Sequence, residues 1–271
     1  MGSERDDDAR PAPEEPTLTR VWDALSRGKD NLTPDRHLAE RMERLTCMSS
    51  LVAANADFRR RTLSRLAGPG QITQFLDCGP GLPNPTSTST IVHQIASHAR
   101  ILYVDNDPMV LTHTRALLAG STVDVIEADI FDPKAVLNDD TVRNFFDWSR
   151  PVALLHTATL PHCPDDRGPV EVMRGYVDAL PPGSYTVISH FAVPEQDSLR
   201  ELASTAQTAF VDSPIGTGWF RPIDQIAALF PAQTLLEPGL VPCDDWRPTP
   251  STTPDHASIR RCLVGAVGRV Q

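Results

Sequence analysis

Apolar segments alternate with amphipathic segments through the middle of the chain, and this alternation constrains the fold more than any other feature of the sequence. Each apolar segment has the length of a buried strand, and each segment between them carries apolar residues at helical spacing. The apolar segments are residues 71–77, 99–105, 122–128, 151–159 and 184–191. Strands that regularly alternate with helices predict a parallel sheet with helices on both faces. The predicted class is therefore a doubly wound α/β fold.

Helices are predicted before, between and after these strands. They are expected at residues 17–27, 34–66, 88–99, 108–118, 133–146, 168–180, 195–209 and 222–230. Pro34 suits a first helical turn, and Gly68-Pro69-Gly70 ends the long second helix. The first two helices precede any strand, so they are not needed to build the sheet.

The alternation changes near the C-terminus. Residues 233–241 and 258–270 are predicted to be strands, and the loop between them, CDDWRPTPSTTPDHA, is polar and rich in proline. This loop has no room for a crossover helix, which a parallel connection requires. The sequence therefore predicts an antiparallel strand that closes the sheet.

The charge of the chain limits the classes of partner. Its 271 residues carry a net charge of −10, with a pI near 5.2. An acidic surface repels phosphate backbones and anionic lipids, so neither a nucleic-acid nor a membrane partner is expected. The sequence contains no apolar run long enough to span a bilayer and no secretory signal, which predicts a cytoplasmic protein. Its five scattered cysteines favour neither a disulfide framework nor a zinc knuckle.

Three segments are expected along the chain. Residues 1–16 are acidic and rich in proline and are predicted to be a disordered leader. Residues 17–70 are predicted to form a helical lid, and residues 71–271 the cofactor-binding domain. The sequence makes no prediction about oligomeric state.

The first strand ends in a glycine turn, QFLDCGPGLP, that narrows the choice of ligand. A dinucleotide-binding turn usually reads G-x-G-x-x-G, but here Gly79 and Gly81 are followed by Asn84 at the third position. Asp77 would repel a pyrophosphate and attract an ammonium group. These features favour the methionine end of S-adenosylmethionine over a nicotinamide cofactor. A tight strand-to-helix connection without a ligand remains the third interpretation.

Two further acidic residues follow the next two strands. Asp105 is predicted to accept from both ribose hydroxyls, with Asp107 as the second choice. Asp129 is predicted to accept from the adenine amino group, while the backbone of Ile130 faces a ring nitrogen. An Asp that follows a strand is more often a helix cap or a turn residue, so the prediction rests on the three acids as a set.

At this point the sequence resembles a known family, the actinobacterial S-adenosylmethionine-dependent methyltransferases formerly grouped as a domain of unknown function. The resemblance covers residues 18–269. It rests on the motifs RVWDALSRGKDNLTPDR, FLDCGPGLP, YVDNDPMVL, ADIFDP, RPVALL, LPPGSYTVISH and LLEPGLVPCDDWRP. It implies the Rossmann-like class I methyltransferase fold and S-adenosylmethionine as cofactor, and it says little about the acceptor.

The resemblance also implies roles for further residues. Lys29 and Asn31, in the GKDN turn, would belong to the lid over the cofactor, although a solvated turn is the alternative. Other residues implied to contact the cofactor are Pro80, Asn106 and His156. The proposed catalytic residues are His162 and His190, and either one would act as a general base. A structural role is the alternative for each.

This chain departs from the family pattern where an acceptor would dock. Arg27 replaces a glycine, the segment LPHCPD places Pro161 where a histidine is expected, and the loop NPTSTST is lengthened. These departures suggest methyl transfer to a specialised small-molecule or peptide acceptor in secondary metabolism. The alternative is a protein that binds S-adenosylmethionine for sensing, without methyl transfer. A zinc site at His156, His162 and Cys163 is disfavoured because it lacks a fourth ligand.

Overall fold

The computed structural model describes residues 15–118, 120–249 and 257–271. Most of the predicted acidic leader, residues 1–14, lies outside the described residues, as does the middle of the C-terminal loop at 250–256.

One mixed sheet of eight strands forms the centre of the protein. The strands are β1 (Gln74–Cys78), β2 (Arg100–Asp105), β3 (Val123–Glu127), β4 (Ala153–Thr157), β5 (Tyr185–Phe191), β6 (Gln233–Leu235), β7 (Val241–Pro242) and β8 (Leu263–Val270). Their order is β3-β2-β1-β4-β5-β8-β6, and β7 pairs with β8. Strands β1 to β5 are parallel, whereas β8 runs antiparallel to β5. The α/β class and the antiparallel closing strand are therefore confirmed.

Alternate residues of the strands supply two cores, one on each face of the sheet. In β1, Phe75 belongs to one buried cluster and Leu76 to the other. In β2, Ile101 and Leu102 divide in the same way. Strands that are buried on both faces require helices on both sides, which is the doubly wound arrangement that the sequence pattern predicts.

Ten α-helices are present among the described residues. They are α1 (Leu18–Leu25), α2 (Thr33–Thr46), α3 (Met48–Ala67), α4 (Thr88–His93), α5 (Pro108–Leu117), α6 (Pro133–Asn138), α7 (Asp140–Phe145), α8 (Pro169–Val177), α9 (Asp197–Val211) and α10 (Ile223–Ala227). No helix in the described part of the chain is long and apolar enough to cross a bilayer.

Three predicted elements are interrupted. The long helix at 34–66 breaks at Cys47, which has a left-handed φ of 55°, and Glu43 there accepts from the backbone N–H of Ser49 at 2.8 Å. The helix at 133–146 breaks at Asp139, whose carboxylate caps α7. The strand at 233–241 divides into β6 and β7, each of which pairs with β8.

The N-terminal helices are not equivalent. α3 is buried along much of its length, and its Phe58 belongs to the core cluster that also contains Phe75 of β1. α1 buries only Val21 and Leu25. Of the predicted lid segment, α3 thus shares the core of the sheet, while α1 lies at the margin.

Candidate cofactor and active site

A cavity of about 1070 Å³ lies at the carboxyl ends of β1 to β4. Its floor comes from the loops that follow these strands, at residues 79–82, 105–107, 129–131 and 157–159. Its walls come from α1 and α3. Ligands of open α/β folds bind outside the carboxyl ends of the strands, so this cavity lies where the fold places its ligands.

The two glycines of the turn serve different purposes. Gly79 has a φ of 74°, and a Cβ there would lie 2.6 Å from Cγ2 of Thr159, so both conformation and space require glycine. Gly81 has a φ of 70°, and a Cβ there would meet no atom within 4 Å. The space where a side chain of residue 81 would lie is therefore empty, and the backbone of Gly81 is accessible to a ligand in the cavity.

Asp77 is fully buried at the end of β1. Thr88 Oγ1 donates to its Oδ2 at 2.7 Å, while its Oδ1 has no hydrogen-bond partner. Burial raises the pKa of this carboxyl group, and the positive charge of Arg59 and the bond from Thr88 oppose that shift. An unsatisfied buried carboxylate oxygen is costly unless a ligand provides a donor. Asp77 itself does not line the cavity; it lies two residues before Gly79, which does.

Asp105 and Asp107 have distinct roles. Asp105 lines the cavity, is 8% exposed, and accepts from the backbone N–H of Asp107 at 3.0 Å. Burial raises its pKa to about 6, although backbone N–H groups of Asp107, Asn106 and Gly81 favour the charged form. Asp107 caps α5 by accepting from the backbone N–H of Met109 at 2.8 Å. Asp105 is thus the carboxylate of this pair that is available to a ligand, although Asp107 and Asn106 also line the cavity.

Asp129 and Ile130 line the cavity after β3. Asp129 Oδ1 accepts from the backbone N–H of Phe131 at 2.8 Å, and Arg167 Nη2 donates to its Oδ2 at 2.8 Å. Tyr176 donates its hydroxyl proton to the carbonyl oxygen of Ile130 at 2.9 Å, which fixes this loop. Both side chains of the ion pair with Arg167 are more than two-fifths exposed, so a ligand could displace it at little cost.

Two of the three predicted histidines do not line the cavity. His156 Nδ1 lies 3.1 Å from Thr159 Oγ1, and the ring packs edge-on against Tyr176. His190 uses both ring nitrogens: Nδ1 lies 2.8 Å from the carbonyl oxygen of Phe191, and Nε2 lies 3.0 Å from Arg221 Nη1. Burial lowers the pKa of each to about 3, so both rings are neutral. The geometry gives His190 a bracing role and offers a catalytic one no support.

His162 is the histidine that does line the cavity. Its Nδ1 lies 2.9 Å from Thr217 Oγ1, and its buried Nε2 has no hydrogen-bond partner. Burial lowers its pKa to about 3. The ring is therefore neutral and presents one unsatisfied nitrogen.

The end of β4 carries two features that the sequence did not suggest. The hydroxyl of Thr157 is buried beside the cavity without a hydrogen-bond partner. The next residue, Ala158, has a φ of 58°, an uncommon conformation for a residue with a side chain. Backbone of this kind is concentrated at functional sites, where the surrounding structure holds it in place.

α1 and the GKDN turn cross the mouth of the cavity. At one end, Trp22 stacks on Phe191 of β5, with ring centroids 6.4 Å apart. At the other, Asp30 lies 3.7 Å from Nδ1 of His113 on α5. β5 lies beside β4 on one side of the cavity, and α5 contacts β3 on the other, so this segment extends from one side of the site to the other.

The predicted contact residues of the GKDN turn do not line the cavity. Lys29 is exposed. Asn31 donates from Nδ2 to Asp23 Oδ2 at 2.8 Å, and its Oδ1 accepts from Arg36 at 3.1 Å. The side chains that α1 contributes to the lining include Leu18, Trp22 and Asp23. Contacts of Lys29 and Asn31 with the cofactor therefore stay predictions.

Sequence reasoning missed Arg59 and Asn55 of α3, both of which are buried and line the cavity. Arg59 begins a run of three arginines, which by itself indicates a solvated surface. A better signal was available: Val52, Asn55 and Arg59 recur at intervals of three and four residues, so they share one helical face.

The residues present fit S-adenosylmethionine. The unsatisfied oxygen of Asp77 suits its ammonium group, and the buried carboxylate of Asp105 suits its ribose hydroxyls. The open side of Gly81 gives the ligand access to the backbone. Within residues 15–118, 120–249 and 257–271, no group of three or more His, Cys, Asp or Glu side chains is arranged so that it could hold a metal ion.

Comparisons with known proteins agree with this geometry. A family profile described as S-adenosyl methyltransferase matches residues 6–271. A crystal structure of a candidate methyltransferase from Thermobifida fusca YX is 34% identical, with a TM-score of 0.88, over 95% of this chain and 96% of that chain. A DUF574 family protein from Streptomyces avermitilis MA-4680 is 28% identical, with a TM-score of 0.88, over 95% of this chain and 98% of that chain.

Among curated proteins, none matches this sequence. The family profile covers nearly the whole chain, and its cofactor is the one that the strand ends fit. The chain therefore belongs to the S-adenosyl methyltransferase family, with the class I methyltransferase fold, and is an S-adenosylmethionine-dependent methyltransferase.

Proposed function

We propose that this protein transfers a methyl group from S-adenosylmethionine to a small-molecule or peptide acceptor, in the cytoplasm and as part of secondary metabolism. The observation that carries the proposal is one cavity that joins the strand-end cofactor motifs to a space lined by both apolar and polar side chains of α1 and α3. The placement in secondary metabolism rests on sequence alone, on the departures at LPHCPD and NPTSTST.

The size and lining of the cavity support a compact acceptor. Its volume of about 1070 Å³ is at the upper limit of the 300–1,000 Å³ typical of pockets for one small ligand. A cofactor and a second small molecule, or the side chain of a peptide, could share this space. Apolar residues line the part near α1, among them Leu18, Trp22 and Val52.

The cofactor would be held by groups from three successive strand ends. Asp77 would attract its ammonium group, Asp105 would accept from its ribose hydroxyls, and Asp129 with Ile130 would face its adenine. When bound, S-adenosylmethionine supplies a methyl group that its sulfonium already makes electrophilic. The protein then has to orient the acceptor in line with that methyl group and exclude water.

His162 and Thr157 would orient the acceptor. Thr157 is the last residue of β4 and His162 lies in the turn that follows, and each presents a buried polar atom without a partner. If Nδ1 of His162 donates to Thr217, its Nε2 is left to accept from an acceptor O–H or N–H. Because burial lowers its pKa to about 3, His162 is a weak base and would act mainly by positioning.

The test is a screen of acceptors with tritiated S-adenosylmethionine and the full chain. We expect label to transfer to a compact acceptor that carries one nucleophilic O–H or N–H. His162→Gln should raise KM for that acceptor while cofactor affinity is unchanged. The pH profile of methyl transfer should show no step from ionisation of His162 between pH 5 and 8. Tight cofactor binding with no labelled product from any acceptor would favour the sensing alternative instead.

A further inference from the structure

We propose that Arg59 binds the carboxylate of the methionine end of S-adenosylmethionine, and that Arg59 and Asp77 together form a site for an amino-acid zwitterion. This inference rests on the cofactor and not on the acceptor proposed above. A failed acceptor screen would therefore leave it intact.

Arg59 is a buried cation whose hydrogen bonding is incomplete. Its residue is 6% exposed. Nη2 donates to the carbonyl oxygen of Thr86 at 2.8 Å, and Nε is buried without a partner. No carboxylate among the described residues lies within ion-pair distance of it. A buried guanidinium is costly without an anion, so the geometry calls for a negatively charged ligand.

Asp77 provides the complementary half of the site. Its Oδ1 lacks a partner just as Nε of Arg59 does. Arg59 Nη2 donates to the carbonyl oxygen of Thr86, and Thr88 Oγ1 donates to Asp77 Oδ2, so the two charged groups bond to residues only two positions apart in the chain. In agreement with this, the positive charge of Arg59 opposes the rise that burial causes in the pKa of Asp77. An unsatisfied acceptor and an unsatisfied donor in one neighbourhood match the ammonium and carboxylate of an amino acid.

The position of Arg59 agrees with this role. Arg59 and Thr86 line the same cavity as Gly79, Gly81 and Asp105. If Asp105 binds the ribose, the amino-acid part of the cofactor has to extend from there, and Arg59 is a buried cation along the cavity wall. Lys29, the cation that the sequence suggested for this carboxylate, is exposed and does not line the cavity.

The neighbouring arginines have different partners, so the run RRR is not one basic patch. Arg60 is exposed and forms an ion pair with Asp57. Arg61 donates to the carbonyl oxygens of Trp246 and Cys243, at 2.9 and 2.6 Å, and so connects α3 to the C-terminal segment. Of the three, Arg59 is the one that lines the cavity. Arg60 therefore offers a matched control, one residue away on the same helix.

The experiment compares two ligands that differ only in the carboxylate: S-adenosylmethionine and decarboxylated S-adenosylmethionine. Calorimetric titration of the wild-type chain should give about 10- to 100-fold weaker binding of the decarboxylated ligand, the usual effect of a hydrogen bond to a charged group. Arg59→Met should weaken binding of S-adenosylmethionine by a similar factor and hardly change binding of the decarboxylated ligand. Arg60→Met should bind both ligands as the wild type does.

Two results would overturn the proposal. One is equal affinity of the wild type for both ligands, since no group would then be sensing the carboxylate. The other is an equal loss of affinity for both ligands in Arg59→Met, which would show that the role of Arg59 is structural. If circular dichroism shows that Arg59→Met does not fold, Arg59→Lys decides: a loss confined to the ligand with the carboxylate supports the proposal, and an equal loss for both rejects it.

Discussion

The strand ends on the two sides of the site use polar residues in opposite ways. At the ends of β1 and β2, the carboxylates of Asp77 and Asp105 are buried, and burial raises the pKa of both. At the end of β5, His190 is bonded at both ring nitrogens and belongs to a network around Arg221. The first side leaves a buried carboxylate oxygen of Asp77 without a hydrogen-bond partner, whereas both ring nitrogens of His190 on the second side are bonded within the protein.

We expect this difference to separate binding residues from bracing residues more reliably than residue type does. Histidine is the residue most often expected to be catalytic near neutral pH. Here burial lowers the pKa of three histidines to about 3, and of the three, His162 alone presents a free nitrogen to the cavity.

The largest effect should come from removing α1, which lines the cavity and is predicted to act as its lid. Deletion of residues 1–33 removes Trp22 and the GKDN turn while sparing much of the sheet. We expect cofactor affinity to fall by about two orders of magnitude or more, equivalent to roughly 3 kcal/mol, with a similar loss of turnover. Calorimetry and a methylation assay would measure both.

The control is deletion of residues 1–16, which should be harmless. Trp22→Ala should give a smaller loss in the same direction, because it removes the stack on Phe191 and leaves α1 in place. If the longer truncation bound cofactor as well as the full chain, the lid assignment would be wrong.

On the side of β5, substitution of Arg221 should lower the stability of the fold. Arg221 donates to the carbonyl oxygens of Leu160 and Cys163, at 3.1 and 2.7 Å, and lies 3.0 Å from Nε2 of His190. Arg221→Met leaves these buried acceptors unsatisfied, so the free energy of unfolding should fall by about 2 to 5 kcal/mol. Urea denaturation measures this. Arg200→Met, which removes an exposed arginine of α9, is the control and should change stability little.

On the side of β1 and β2, substitution of Asp105 should lower the affinity for the cofactor. Asp105→Ala should leave the fold intact and weaken cofactor binding by about 1.5 to 3 kcal/mol, the scale of hydrogen bonds to a charged group. Calorimetry with S-adenosylhomocysteine avoids turnover during the measurement. Unchanged affinity would move the ribose contact to Asp107 or remove it.

Asp105 should also limit the stability of the ligand-free protein near neutral pH. Its folded pKa of about 6 exceeds the ordinary value of 3.8, so the native state binds this proton more tightly than the unfolded state does. The stability that protonation provides is fully present below about pH 3.8 and is lost as the pH rises through about 6.

Asp105→Asn removes this dependence. At pH 7 the variant should be more stable than the wild type by about 1 to 3 kcal/mol, and the gain should vanish as the pH falls toward 4. Thermal unfolding of both proteins from pH 4 to 8 would measure it. A gain that does not change with pH would show that the carboxylate is not the cause.

Much of the fold could be predicted from the sequence because its signals are local. Alternating strands and helices predicted the parallel sheet, and the polar loop before β8, which has no room for a crossover helix, predicted the antiparallel strand that pairs with β5. The break at Cys47 was missed, because helical apolar spacing continues through it. Its cause is a left-handed residue braced by a contact between Glu43 and Ser49.

Residues of the candidate site differ in the same respect, because some have local sequence signals and others depend on contacts between distant segments. Asp77 and Asp105 lie at strand ends, and Asp77 precedes a glycine turn, so adjacent residues predicted them as candidates. Helical spacing places Arg59 on one face of α3, but its bond to a distant loop, like the pairing of His190 with Arg221, joins segments that no local pattern connects. Lys29 was predicted because it lies in a distinctive turn, yet its side chain is exposed.

One titration tests the central claim most directly, namely that the strand-end charges of this chain are arranged for a sulfonium amino acid and not for a pyrophosphate. S-adenosylmethionine, S-adenosylhomocysteine and NAD are each titrated calorimetrically into the full chain at pH 7.5. The account predicts affinities in the micromolar range for the first two, about 8 kcal/mol of binding free energy, and no measurable heat with NAD. Binding of NAD without binding of S-adenosylmethionine would contradict it.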